Sequence, residues 1–234
     1  MIAGIASSAR GGSVQSVRMD VLAGNLANST SVGYKPRSAI IAPNARGEVG
    51  LVDVITDFRP GRLRTTENPL NIALEGQGFF TVSDGTRRLY SRNGELGLNS
   101  DGELVCGSST FRLTGVSGNP IQISPDRPFV ITREGAVVQD GSERGRIGVV
   151  DVEQPETSLT PLGAGTFMAR GPVRELEARA RVQQGMVENS NMDDVTGMVK
   201  VLEATRAYEA NMRMIALQDS MLGRLVSQVG SIPA

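Results

Sequence analysis

Proline divides this chain into three zones. None occurs from residue 1 to 35 or from 173 to 232, and ten of the eleven lie between Pro36 and Pro172. A proline inside a helix costs about 3 kcal/mol, so only the two ends can hold long helices. Aromatic residues follow the opposite map. All six Phe, with Tyr90, fall between Phe58 and Phe167, while seven of nine Met fall at or after Met168. The sequence therefore predicts an α+β chain. Its ends are helices packed through aliphatic and Met side chains, and its centre is a mostly antiparallel β domain with an aromatic core.

Turn chemistry supports the β reading. Asp84-Gly85, Asn93-Gly94, Asp101-Gly102 and Asp140-Gly141 are turn dipeptides, with Glu134-Gly135 a weaker one. Between them lie short β-branched and aromatic runs such as 78–82, 110–113, 128–132 and 145–150, which predict eight to eleven strands from Leu70 to Met168. Gly76-Gln77-Gly78 reads as a tight turn, not a phosphate loop, because it lacks a third Gly and precedes a strand. The expected boundaries are a terminal helical domain from 1–35 and 185–234, an extended connector at 36–69, and a central β domain at 70–184.

The C-terminal zone reads as one long helix capped by Asn191, Asp193 or Asp194. A heptad reading places Val201, Tyr208, Ile215, Leu222 and Val229 on one line, and Met198, Thr205, Met212, Asp219 and Val226 beside it. A shorter N-terminal helix presents Val14, Val17, Val21, Leu22 and Leu26, with Gly11-Gly12 expected to interrupt its first turns. Neither helix buries enough apolar surface to stand alone. Each needs a partner, either the other helix or a neighbouring subunit.

Composition removes several kinds of chemistry. The chain has no His, so the commonest general base and metal ligand is missing. Cys106 is the only cysteine and reads as a small buried side chain in a strand; it can form neither an intrachain disulfide nor a thiolate zinc site. No cofactor is expected. Asp193-Asp194 suits a helix start better than an acid/base dyad. A net charge of -1 gives no nucleic-acid footprint, the 22 Arg against two Lys being read as compositional bias. No apolar run reaches transmembrane length, so no membrane insertion is expected. The first nine residues lack a positive n-region, so a cleaved signal is not expected either.

Five segments in order resemble a known family. Leu22-Ala23-Gly24-Asn25-Leu26-Ala27-Asn28, followed by Thr30 and Gly33-Tyr34-Lys35, is similar to the N-terminal signature of flagellar rod and hook proteins. Leu70 to Phe80 resembles that family's Leu-Asp-Ile-Ala-Ile-x-Gly-x-Gly-Phe-Phe segment, and Tyr90-Ser91-Arg92-Asn93-Gly94 its Tyr-Thr-Arg-x-Gly. Gln184 to Met192 is similar to Gly-x-Leu-Glu-x-Ser-Asn-Val, and Arg206 to Asn211 matches Arg-Ala-Tyr-Glu-x-Asn. Gly24, Asn71 and Tyr34 depart from the usual Asn, Asp and Phe. Length and the short middle look most like the proximal-rod members, with the distal-rod members as the alternative.

The resemblance implies a structural, non-enzymatic subunit of the basal-body rod that self-assembles with proximal and distal rod proteins into a helical, torque-transmitting tube. It implies terminal helices paired as a coiled-coil-like layer, passage through the flagellar type III export apparatus without a cleaved signal, and a final place in the periplasmic rod. The residues expected at the assembly interface are Val17, Val21, Asn25, Leu26, Asn28, Met198, Val201, Tyr208, Met212, Ile215, Leu222 and Val226. Two other classes compete: a soluble β module dimerised by its terminal helices, and a carboxylate-based hydrolase.

Overall fold

The computed structural model describes residues 2–43, 49–107, 111–163 and 165–229. The chain opens with α1 (Ile2–Ala27), then β1 (Arg37–Pro43), β2 (Val49–Thr56) and β3 (Leu63–Thr65). The strands β4 (Ile72–Glu75), β5 (Phe79–Ser83), β6 (Arg88–Ser91), β7 (Leu96–Leu98), β8 (Leu104–Cys106) and β9 (Arg112–Leu113) follow. Next come β10 (Phe129–Ile131), β11 (Ala136–Gln139), β12 (Ser142–Arg146), β13 (Val149–Val152) and the single turn α2 (Pro155–Ser158). The chain ends with β14 (Leu159–Gly163), β15 (Thr166–Ala169), β16 (Glu175–Glu177), β17 (Arg181–Gln184), β18 (Met186–Glu188) and α3 (Asp194–Val229). The chain is α+β, and every strand pairing is antiparallel.

Two units emerge. The first comprises Met1–Ala27, Arg37–Thr56 and Met192–Ala234; the second comprises Asn28–Pro36 and Asp57–Asn191. In the first unit α1 packs on α3 and also touches the β1–β2 hairpin. The segment 36–69, read as an extended connector, contains this hairpin and β3. β-Branched residues fill β2, and the ladder runs from Arg37 opposite Thr56 to Pro43 opposite Val49. Gly11-Gly12 does not interrupt α1, which runs through both residues. Asp193 begins α3: its carboxylate accepts from the Thr196 hydroxyl and its carbonyl from Gly197 N at 2.8 Å.

The second unit is built on a sheet ordered β14-β15-β6-β5-β9-β8-β7, with β13 pairing β5 and β16; β10-β11-β12, β17-β4 and β18-β3 pair beside it. Its larger core is mainly aliphatic, with Ile72, Leu89, Leu104, Leu113 and Ile147 almost fully buried alongside Phe80. A second core joins Phe58, Phe79, Tyr90 and Phe167 edge to face, with Phe58 and Phe167 centroids 5.0 Å apart. Between Leu70 and Met168 the described strands run from β4 to β15, slightly more than expected because several are only two or three residues long.

Most turn dipeptides turn as their chemistry requires. Asp140 and Gly141 both have positive φ, 55° and 74°, which closes the β11–β12 hairpin. Asn93-Gly94 is different. A Cβ at Gly94 would stand 1.7 Å from the Ile72 carbonyl oxygen, so this Gly permits a close backbone approach instead of making a hairpin.

Candidate assembly interface

The long helix has a regular shielded seam. Gly197, Val201, Ala204, Tyr208, Asn211, Ile215, Gln218 and Leu222 are less exposed than their neighbours and recur at alternating spacings of four and three. Two contacts fix the direction of packing. A Cβ on Gly4 would lie 3.3 Å from Gln218 Nε2, and one on Gly11 would lie 3.0 Å from Asn211 Oδ1. Rising numbers on α1 meet falling numbers on α3, so the helices are antiparallel. Large polar side chains of α3 fill the space left by glycines of α1, which lets the helices approach closely.

The line Val201, Tyr208, Ile215, Leu222 lies on this seam, as the heptad reading has it. Its companions differ. They are Ala204, Asn211 and Gln218, three residues further on, whereas Met198 and Met212 stand 54% and 45% exposed. Apolarity drew the reading toward methionine, while close packing selects small and amide side chains. Two apolar flanks of α3 remain in solvent. One carries Met198, Leu202 and Met212; the other carries Met214, Leu217 and Met221. The side chain of Val226 lies outside the described residues.

On α1, Val21 is buried, and Val17 and Leu26 are half-buried. Asn25 is 4% exposed and uses both ends of its amide on one residue: Nδ2 donates to Arg37 O at 2.7 Å, and Arg37 N donates to Oδ1 at 2.9 Å. It thereby joins the end of α1 to the first residue of β1. Asn28 belongs to the second unit and shapes the turn after the helix, accepting from Ser31 N at 3.1 Å through its carbonyl and from Ser31 Oγ at 3.4 Å through its side chain.

The second unit contains a charged cluster that sequence reasoning did not single out. Lys35, Arg92 and Glu188 are almost fully buried. Lys35 Nζ donates to Glu188 Oε1 at 2.6 Å and to Arg59 O at 2.6 Å. Arg92 Nη1 donates to Glu188 Oε2 at 3.0 Å, and its Nη2 to Gly76 O at 2.9 Å. Gly61 N adds a 2.7 Å bond to Glu188 Oε1. Burial pulls the Lys35 ammonium below its ordinary range, with Glu188 opposing that shift. Three of the recognised motifs supply one member each, and that was the available signal.

This cluster is built as a structural tie. Glu188 accepts from Lys35 and Gly61 at Oε1 and from Arg92 at Oε2, so its charge is taken up by groups of its own chain. Among the described residues no group of three or more His, Cys, Asp or Glu is placed to hold a metal ion. Nor is any helix long and apolar enough to cross a membrane.

Residues 183–228 match the family described as the flagellar basal body rod FlgEFG protein C-terminal region, and residues 73–142 match the flagellar hook protein FlgE/F/G D1 domain. Over 230 aligned positions the chain is 26% identical to the flagellar basal-body rod protein FlgF of Caulobacter vibrioides, covering 92% of each chain. It is 29% identical to FlgF of Escherichia coli over 224 positions, covering 87% of this chain and 89% of that one. It is 30% identical to FlgG of Agrobacterium fabrum over 258 positions, covering 93% of this chain and 95% of that one.

Proposed function

Because this chain belongs to the flagellar basal-body rod protein family, we propose that it is a structural subunit of the rod, of the proximal-rod kind typified by FlgF, and that its first unit joins it to the helical tube. The observation that carries this reading is α3. One face of that helix is already used on α1, yet two more apolar flanks stay in solvent. Each aliphatic or Met side chain fully buried there contributes about 1.5–3 kcal/mol, so a neighbour covering a flank gains several at once. Isolated globular helices do not carry such flanks without a partner.

The proximal assignment is supported by alignment length. FlgF relatives align over 223 to 230 positions, close to this chain's 234 residues, whereas FlgG of Agrobacterium fabrum needs 258. The assembly surface comprises Met198 and Met212 on the exposed flank, with Val226 further along the helix. The seam of Val17, Val21, Leu26, Val201, Tyr208, Ile215 and Leu222 holds α1 and α3 together as a coiled-coil-like pair. Asn25 and Asn28 set the entry to the hairpin and to the second unit. Other axial proteins and further copies of this chain are the partners. The subunit leaves through the flagellar type III export apparatus, without a cleaved signal, and reaches the periplasmic rod.

The test is a deletion strain complemented with an epitope-tagged chain. Purified basal bodies should carry the tag in the rod, and motility should return. A tag absent from basal bodies of swimming cells would refute the reading and favour a soluble β module instead.

A further inference from the structure

The chain passes between its two units four times, so the second unit has four chain ends, at Asn28, Pro36, Asp57 and Asn191. Segments from all four ends are hydrogen-bonded together around one carboxylate. Asp57 N donates to Pro36 O at 2.9 Å, and Asn189 N donates to Arg62 O at 2.9 Å. Gly33 N donates to Glu188 O at 2.8 Å, so the residue that supplies the central side chain also binds the entering segment through its backbone. Lys35 then reaches Glu188 and Arg59 O, and Gly61 N completes the ring. A Cβ at Gly33 would stand 2.3 Å from the Arg92 carbonyl carbon, and one at Gly61 2.0 Å from Asn189 O. The segments are in backbone contact wherever they cross.

We infer that the Lys35–Glu188–Arg92 cluster is a mechanical clamp, which keeps the second unit folded when tension reaches it through its own chain ends. This rests on the rod reading, in which the subunit carries torque. Force applied at 28 or 191 must break the charged contacts and their flanking backbone bonds together before any core strand can peel. Followed from 28 or from 191, the chain reaches these bonds before it reaches Phe58 of the aromatic core or Val182 of the aliphatic one. Burial strengthens the attraction within the cluster and keeps water from replacing the bonds one at a time.

Single-molecule pulling on the full chain by its two termini tests this. Once the helices have extended, the load falls on the second unit at both ends. Glu188→Gln should raise the unfolding rate at fixed force on the order of a hundredfold, because the barrier is the clamp itself. Leu104→Ala weakens the core, and its rate should stay within about threefold of wild type despite a lower melting temperature, because the core is still packed at that barrier. If Glu188→Gln does not fold, Lys35→Met, which leaves the Arg92–Glu188 pair intact, should show an intermediate rise. Equal acceleration by Leu104→Ala, or none by either clamp variant, would overturn the clamp. In cells, Glu188→Gln should swim in dilute buffer and stall in viscous medium, while Leu104→Ala should not stall. A clamp seen under the pull in a strain whose motility does not need this chain would overturn the rod reading instead.

Discussion

Lys35 Nζ stands 2.6 Å from Glu188 Oε1, and the two side chains are 0% and 1% exposed. Arg92 holds the other oxygen at 3.0 Å, so one buried anion serves two buried cations. Glu188→Gln would leave both cations uncompensated and should destabilise the second unit by about 3–5 kcal/mol. Lys35→Met should cost clearly less, because the pair that remains is neutral. Urea unfolding followed by circular dichroism should rank the variants in that order.

Stability should also rise with pH through this cluster. Burial lowers the Lys35 pKa from 10.5, Glu188 attracts the charged form, and Arg92 adds to the lowering. Between the lowered folded value and 10.5, the unfolded chain still binds the proton that the folded chain has lost. Stability therefore climbs as pH rises through that window and levels off above it. Cys106 works in the opposite sense above pH 9.0, its folded thiol being pushed up to about 12. Comparing melts of wild type with Lys35→Met isolates the lysine, and the rise should vanish in the variant.

Cys106 should be chemically silent in the folded chain. It is 2% exposed on β8, burial raises its pKa, and Ser91 hydrogen-bonds it. A maleimide at pH 8 should label it only in denaturant. Cys106→Ala should cost about 1 kcal/mol and leave motility nearly intact. Prompt labelling of native protein would show an access route that the fold does not contain.

Leu222→Asp should block rod assembly while sparing the second unit. Leu222 is half-buried on the α3 seam, and an unpaired carboxylate there costs several kcal/mol in every subunit of a polymer. Arg224→Asp, on the exposed side, should be far milder. Soft-agar motility and basal-body yield distinguish the two, and the melting transition of the second unit should stay unchanged in both.

A fragment joining 28–36 to 57–191 should fold, whereas one cut at 70–168 should not. The shorter piece carries the turn signals that first marked the β domain. It loses β17, which pairs Val182 with Leu74, and β18 with its fully buried Val187. It also loses Phe58 from the aromatic core. Proton NMR dispersion should separate the fragments at once.

The β domain, its aromatic core and both long helices were legible because proline, turn dipeptides and aromatic residues act locally. The β1–β2 hairpin was harder to read, since no turn dipeptide of the usual kind marks it. The seam of α3 was half legible. Ile215 and Leu222 announce themselves by apolarity, but Asn211 and Gln218 matter for their fit against Gly11 and Gly4, almost a whole chain away. The buried cluster was not legible as a cluster. Lys35, Arg92 and Glu188 are ordinary charged residues until the topology removes water from all three.

The packing of Gly4 against Gln218 sets a timetable for the molecule. Translation makes one of these residues at the beginning and the other near the end. The first helix therefore meets the β1–β2 hairpin early but waits for α3 through most of synthesis. The second unit can close earlier, since its last residue precedes α3. Any factor that meets the nascent chain before α3 is made thus meets α1 with its α3-facing side open. The paired helices exist only after α3 has been made.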